Sequence, residues 1–169
     1  GFINLDNAST YATTGDAVTV GALTAGTGIT LRGVSHGARG VVSSGAMNSA
    51  SGDVSIVGYT TAAGQRAIDF STSSSIYLVG SSTSAPLILS ASGNIDVIGY
   101  APSSNTAVTY GSNILLAAGG NITISGNGAG GTTYGAVDLT PAVIKAGGNL
   151  TIQGSNKVNG EAVGVAGSS

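Results

Sequence analysis

Apolar and polar residues alternate in short bursts along this chain, and the clearest bursts follow a Gly paired with Asn or Asp. Gly120-Asn121-Ile122-Thr123-Ile124-Ser125-Gly126 and Gly148-Asn149-Leu150-Thr151-Ile152-Gln153-Gly154 match most closely. Gly52-Asp53-Val54-Ser55-Ile56-Val57-Gly58 and Gly93-Asn94-Ile95-Asp96-Val97-Ile98-Gly99 are looser copies. An apolar-polar-apolar triplet is the period-two signature of a half-buried strand. Gly with Asn or Asp turns the chain sharply into it, because these residues tolerate left-handed backbone angles. A turn and a short strand, repeated, predict the coils of a solenoid.

With the first apolar residue of each triplet as a ruler, copies fall at Ile3, Ile29, Val54, Ile76, Ile95, Ile122 and Leu150, separated by 26, 25, 22, 19, 27 and 28 residues. Spacing this uneven excludes a strict-period solenoid. It predicts an all-β fold, a single-stranded right-handed parallel β-helix of about six to seven coils, whose turns absorb insertions. No stretch of ten or more residues has helical apolar spacing, and 29 Gly with three Pro argue against long helices.

A second ladder runs between the copies: Val18 to Val20, Val41-Val42, Ile68-Asp69-Phe70, Pro86-Leu87-Ile88-Leu89, Val108-Thr109-Tyr110, Val137-Asp138-Leu139 and Val163-Gly164-Val165. A third strand is expected only in the longer coils, at Ile114 to Leu116 and Ala142 to Ile144. The alternation points Ile29, Leu31, Val54, Ile56, Ile95, Val97, Ile122, Ile124, Leu150 and Ile152 into the core. It points Asn4, Thr30, Ser55, Tyr77, Asp96, Thr123 and Thr151 outward. Asp53, Asn94, Asn121 and Asn149 precede their strands at one position and are expected to form a ladder of stacked side chains along the axis. Residues 1–169 read as one continuous segment. Because Phe2 to Leu5 already look like a worn copy of the strand, the segment is read as part of a longer solenoid.

The pattern Ala-Gly-Gly-Asn-(Ile/Leu)-Thr-Ile-x-Gly, at Ala118 to Gly126 and Ala146 to Gly154, resembles the repeats of filamentous haemagglutinin-like large exoproteins, the adhesins of bacterial two-partner secretion. The resemblance implies a β-helical stalk, secreted or held at the bacterial cell surface. Its parent would leave the cell through a dedicated outer-membrane partner transporter and serve in cell adhesion, biofilm cohesion or presentation of a distal effector. The Asn-Pro-Asn motifs of the family's secretion domain do not occur in these residues.

Charge and chemistry narrow the picture further. Only 7% of residues are charged and the formal net charge is -2, with the five basic residues scattered at Arg32, Arg39, Arg66, Lys145 and Lys157. That distribution gives no footprint for nucleic acid. No run of about 18 apolar residues could span a membrane as a helix. The chain lacks Cys, which excludes disulfides and thiolate metal sites. Parallel β-helices also include polysaccharide-cleaving enzymes, which need two carboxylates within roughly 5 to 10 Å across a sugar. The ruler sets Asp69 and Asp138 three rungs apart, ~14 Å, with Ile88 and Thr109 between. Asp96 stands beside Tyr77 and Thr123 with no second acid. The expectation is therefore no catalytic residue, no metal site, no cofactor and no enzyme.

Gly126 to Gly131 formally satisfies Gly-x-Gly-x-x-Gly, but a strand rather than a helix follows it, so it reads as a turn and not a phosphate cradle. His36, with Arg32 and Arg39 nearby, reads as a solvated loop. Tyr59, Tyr100 and Tyr134 are candidate glycan contacts at strand ends or in loops, and Asn7, in an Asn-x-Ser sequon, is a candidate glycosylation site. Two alternatives stand beside the stalk: a carbohydrate-binding or carbohydrate-active β-helix, and a filament subunit that stacks end to end through matching edges. A host-cell or matrix glycan or receptor would be the partner of an adhesive stalk.

Overall fold

The computed structural model describes residues 1–7, 12–70, 87–104, 106–109, 114–129, 135–139, 142–157 and 162–164. Among them every regular element is a strand. The first coil runs through β1 (Phe2–Asp6), β2 (Val18–Val20) and β3 (Leu23–Ala25), and the second through β4 (Gly28–Ser35), β5 (Val41–Ser43) and β6 (Met47–Ser49). The third contains β7 (Val54–Thr60), β8 (Ile68–Asp69) and β9 (Leu87–Ala91). The fourth contains β10 (Ile95–Ala101), β11 (Val108–Thr109) and β12 (Ile114–Ala118), and the fifth β13 (Ile122–Gly128), β14 (Val137–Asp138) and β15 (Ala142–Ala146). β16 (Leu150–Asn156) and β17 (Val163–Gly164) begin a sixth.

Corresponding strands pair in parallel, giving sheets ordered β1-β4-β7-β10-β13-β16, β2-β5-β8-β11-β14-β17 and β3-β6-β9-β12-β15. The protein is a parallel β-solenoid with three faces. In the first sheet the register is residue for residue: Ile29 opposes Val54, Val54 opposes Ile95, Ile95 opposes Ile122, and Ile122 opposes Leu150.

This register corrects the ruler at one copy. β7 pairs directly with β10, so Ile76 is not a rung between them, and Tyr77 leaves the outward column; Ser55 is the residue beside Asp96. Ile76 and Tyr77 lie outside the described residues. The first sheet therefore has six rungs, one fewer than the seven copies, and the third coil takes 41 residues from Val54 to Ile95. The signal that sets Ile76 apart is local: Ser74-Ser75 precede it, where Gly-Asp or Gly-Asn precede the copies at Val54, Ile95, Ile122 and Leu150.

The Leu87 to Leu89 segment, expected in the second ladder, instead lies in β9 of the third sheet, where Leu89 opposes Met47 and Leu116. Short apolar runs look alike whichever face they belong to, which is why spacing alone misassigned it. The third sheet is also fuller than expected, because β3 and β6 supply strands of only three residues.

The interior is built from columns. Ile29, Leu31, Val54, Ile56, Ile95, Val97, Ile122 and Ile124 are wholly buried, as are Val41, Ile68, Val108 and Val137 from the second sheet and Met47 from the third. Leu150 is 48% exposed because β16 is the last strand of its sheet and no rung covers it. Burial along a ladder thus depends on having a neighbour on both sides.

A glycine column sets how closely the first two sheets approach. Gly33, Gly58, Gly99, Gly126 and Gly154 share one inward position of the first sheet. A methyl group there would overlap the backbone of Gly40, Ala67, Ala107, Ala136 and Ala162 respectively, just ahead of the second-sheet strands. The glycine ending each seven-residue burst is therefore required by close backbone approach rather than by a turn.

Hydroxyls close the neighbouring corners. Buried Ser35 donates to Gly15 O (2.8 Å) and accepts from Ala38 N (2.9 Å), while buried Ser43 donates to Gly45 O (3.1 Å). Thr60 Oγ1 accepts from Ala62 N at 3.1 Å. These side chains satisfy backbone groups where the chain leaves a strand.

Candidate functional site

Three groupings of polar or aromatic side chains stand out on this scaffold. The first is the ladder at the turns into the first sheet. Asn94 N–H donates to Asp53 Oδ1 (2.6 Å), Asn121 N–H to Asn94 Oδ1 (2.9 Å) and Asn149 N–H to Asn121 Oδ1 (2.8 Å). The four residues stack at one position as expected, but each bond runs from a main-chain donor to a side-chain acceptor rather than between amides. An ionised Asp can begin such a ladder as well as an Asn, since only the oxygen is used.

The second grouping is a charged clasp across the first three coils. Arg39 grips Asp16 in a fork, Nη2 to Oδ2 at 2.7 Å and Nε to Oδ1 at 3.0 Å, and its main-chain N–H also donates to Asp16 Oδ1 at 3.1 Å. The same guanidinium reaches Asp69 Oδ2 at 3.0 Å, where Arg66 Nη1 joins it at 3.2 Å. Hydrogen bonding from Arg39 holds the Asp16 carboxyl below its ordinary range, against an opposing push from burial. The paired carboxylates in turn raise the Arg39 pKa, so its charge persists at every pH of interest.

This clasp decides what the acids can do. Asp69 opposes Thr109, which opposes Asp138, so the two acids are two rungs apart and not three. At ~4.8 Å per rung that is ~10 Å, closer than the spacing argument gave and near the limit for a carboxylate pair working on one sugar. Yet the Asp69 side chain is only 2% exposed and bonded to two guanidinium groups. Bringing it to a substrate would require breaking a buried ion pair. Asp96 has Ser55 and Thr123 as its register neighbours. Among the described residues, no group of three or more His, Asp or Glu side chains gathers as metal ligands.

The third grouping lies on the outer surface of the first sheet. Tyr59 and Tyr100 oppose each other in β7 and β10, with ring centroids 5.2 Å apart and planes 9° from parallel. Both stand at the ends of strands, next to last in β7 and β10, and project outward, because they occupy the same parity as Ser55 and Asp96. His36, just past β4, meets Tyr59 edge-on, with centroids 6.4 Å apart and planes at 77°. A 2.7 Å hydrogen bond joins its Nδ1 to Thr61 Oγ1. Arg32 lies on the same outer face near Asp6 (4.0 Å), but Arg39 turns away into the clasp, so the His36 loop does not gather both arginines. Tyr134 lies outside the described residues.

Two smaller expectations change. Asn7 is half-buried, its Oδ1 accepting from Val34 N (2.8 Å) and its Nδ2 donating to Ala17 O (3.2 Å), so the amide that a glycan would modify is engaged in joining the first two coils. Gly126 to Gly128 belong to β13 and pair with Gly154 to Asn156, so the glycine-rich stretch begins as strand rather than turn, and Gly130 and Gly131 lie outside the described residues. Neither the clasp nor the tyrosine stack was visible in the sequence as a unit. Apart from the local Arg66–Asp69 pair, they join residues 23 to 41 positions apart, and for the Tyr pair the shared place one residue after Gly58 and Gly99 was the available signal. Compared with known protein families, curated proteins and solved structures, the chain matches none.

Proposed function

We infer that this chain is a structural and adhesive shaft segment of a secreted bacterial surface exoprotein, serving cell adhesion, biofilm cohesion or presentation of a distal effector. The observation that carries the reading is the unbroken register of the first sheet from β1 to β16, in which the chain's regularity is spent on stacking. The acids support a non-enzymatic role. Asp16 and Asp69 are bound to arginines, and Asp53 accepts a bond in the ladder. General acid-base chemistry needs free groups within hydrogen-bond reach of one reacting bond. The proposed partners are an outer-membrane transporter for the parent protein and a glycan or receptor on a host cell or matrix.

The test is to raise antibodies against the purified segment and label intact and permeabilised cells that express the parent gene. Surface labelling of intact cells, together with a secretion domain encoded upstream, is the expected result. Labelling only after permeabilisation would overturn the reading.

A further inference from the structure

The stacked tyrosines end in a step. Below Tyr59 the column is closed by Val34, its register partner, and by the edge-on His36 ring. Above Tyr100 the column continues with Asn127 and then Ser155, both much shorter than a phenol. The ring face of Tyr100 turned away from Tyr59 therefore looks along the axis over Asn127 and Ser155, one and two rungs on, at ~4.8 Å and ~10 Å.

Tyr100 is 38% exposed, and Ile98, two residues before it on the same face, is 42% exposed. The side chains that form the step are neutral, and Lys157, two residues past Ser155, is the cation that the heparin arm below probes. Ser125 and Gln153 continue the column above Ile98. Asn127 Nδ2 donates to Ser155 Oγ at 3.4 Å, while Asn127 Oδ1 has no hydrogen-bond partner although it is shielded from water.

A pyranose ring fits these requirements better than the other occupants of an aromatic step. One face of the sugar is a set of C–H groups, which pack on the negative face of an aromatic ring. Its rim carries hydroxyls that both donate and accept, matching an amide and two serines. Within the column an anionic sugar would meet only neutral groups, since Arg32 lies beside Val57, three rungs below Ser125, and is drawn toward Asp6. An aromatic side chain from another protein could stack on Tyr100 but would desolvate Asn127 and Ser125 without pairing them.

We propose that the step formed by Tyr100, Asn127 and Ser155 is a binding subsite for one neutral pyranose ring of a glycan. The subsite does not depend on the shaft reading, because a shaft can lack a ligand and a sugar-binding solenoid need not be a shaft.

The experiment titrates the full chain with neutral oligosaccharides (maltohexaose, cellohexaose, xylohexaose and a galactan fragment), and with a heparin fragment as the anionic probe. Binding is followed by calorimetry and by saturation transfer from tyrosine ring protons to the sugar. Saturable binding of at least one neutral probe is expected, about tenfold weaker in Tyr100→Ser and retained in Tyr100→Phe, with transfer to the sugar C–H protons. Thermal melts check that the variants fold; if Tyr100→Ser does not, Asn127→Ala together with the wild-type transfer signal decides. Three results would overturn the proposal: no saturable binding of any neutral probe, binding unchanged in the variants, or preference for heparin. Sedimentation is run in parallel, and a dimer that Tyr100→Ser or Asn127→Ala converts to monomer would also overturn it by showing that a second copy covers the step.

Discussion

At the scale of single residues, the glycine column is the most demanding part of the sequence. Gly126 sits where an added Cβ would come within 2.5 Å of Ala136 O and 2.6 Å of Val137 Cγ2. Neither neighbour can yield freely, because Ala136 O also accepts the backbone N–H groups of Ala107 and Val108. Gly126→Ala should therefore destabilise the protein by about 1–3 kcal/mol, the usual penalty for overpacking. Gly21, with open space around it, should accept Ala with little change. Chemical denaturation of the two variants makes the comparison, and equal midpoints would mean that the two sheets can spread at this corner. The glycines were plain in the sequence, but their reason was not: a Gly required by an approaching backbone reads the same as one required by a turn.

At the scale of the strand, inward and outward positions should differ sharply. Ile124 is wholly buried between Val97 and Ile152 in the adjoining rungs. Ile124→Asp would place an unpaired carboxylate in that column and should cost several kcal/mol. Thr123 is half-exposed on the other face, and Thr123→Asp would meet Asp96 in register, a like-charge contact worth under about 1 kcal/mol. Thermal melts of the two variants that moved by the same amount would contradict the strand's orientation. The orientation of this strand was legible because a half-buried strand writes its burial into the sequence with period two. Strands of two or three residues, such as β3, β6 and β8, carry too few positions for that period to show. At β8 even the outward residue is hidden: Asp69 is buried beneath two arginines, so an acid there gave no sign of the ion pairs that hold it.

At the scale of the whole molecule, the Asp16, Arg39 and Asp69 clasp ties three successive coils and makes stability depend on pH. Hydrogen bonding from Arg39 sets the folded pKa of Asp16 below that of an ordinary aspartate. A carboxyl shifted this way contributes stability that is complete above the unfolded value and is lost as the pH falls through the folded one. The wild type should therefore melt above Asp16→Asn near neutral pH, and the gap should narrow as the pH drops below about 4. Melts collected from about pH 7 to about pH 2 would show it; a gap that stays constant would mean that the clasp works through shape and not through charge.

The ladders between coils also have a mechanical meaning. Their hydrogen bonds point along the long axis, and each of the first four junctions is bridged in all three sheets, from β1–β4, β2–β5 and β3–β6 to β10–β13, β11–β14 and β12–β15. A pull along the axis therefore loads three sets of bonds side by side at each of these junctions, while successive junctions share the same force in series. Tension spreads over a row of similar links, and the molecule behaves under load as a cable does, stiff along its length and with its resistance to breaking repeated every ~4.8 Å.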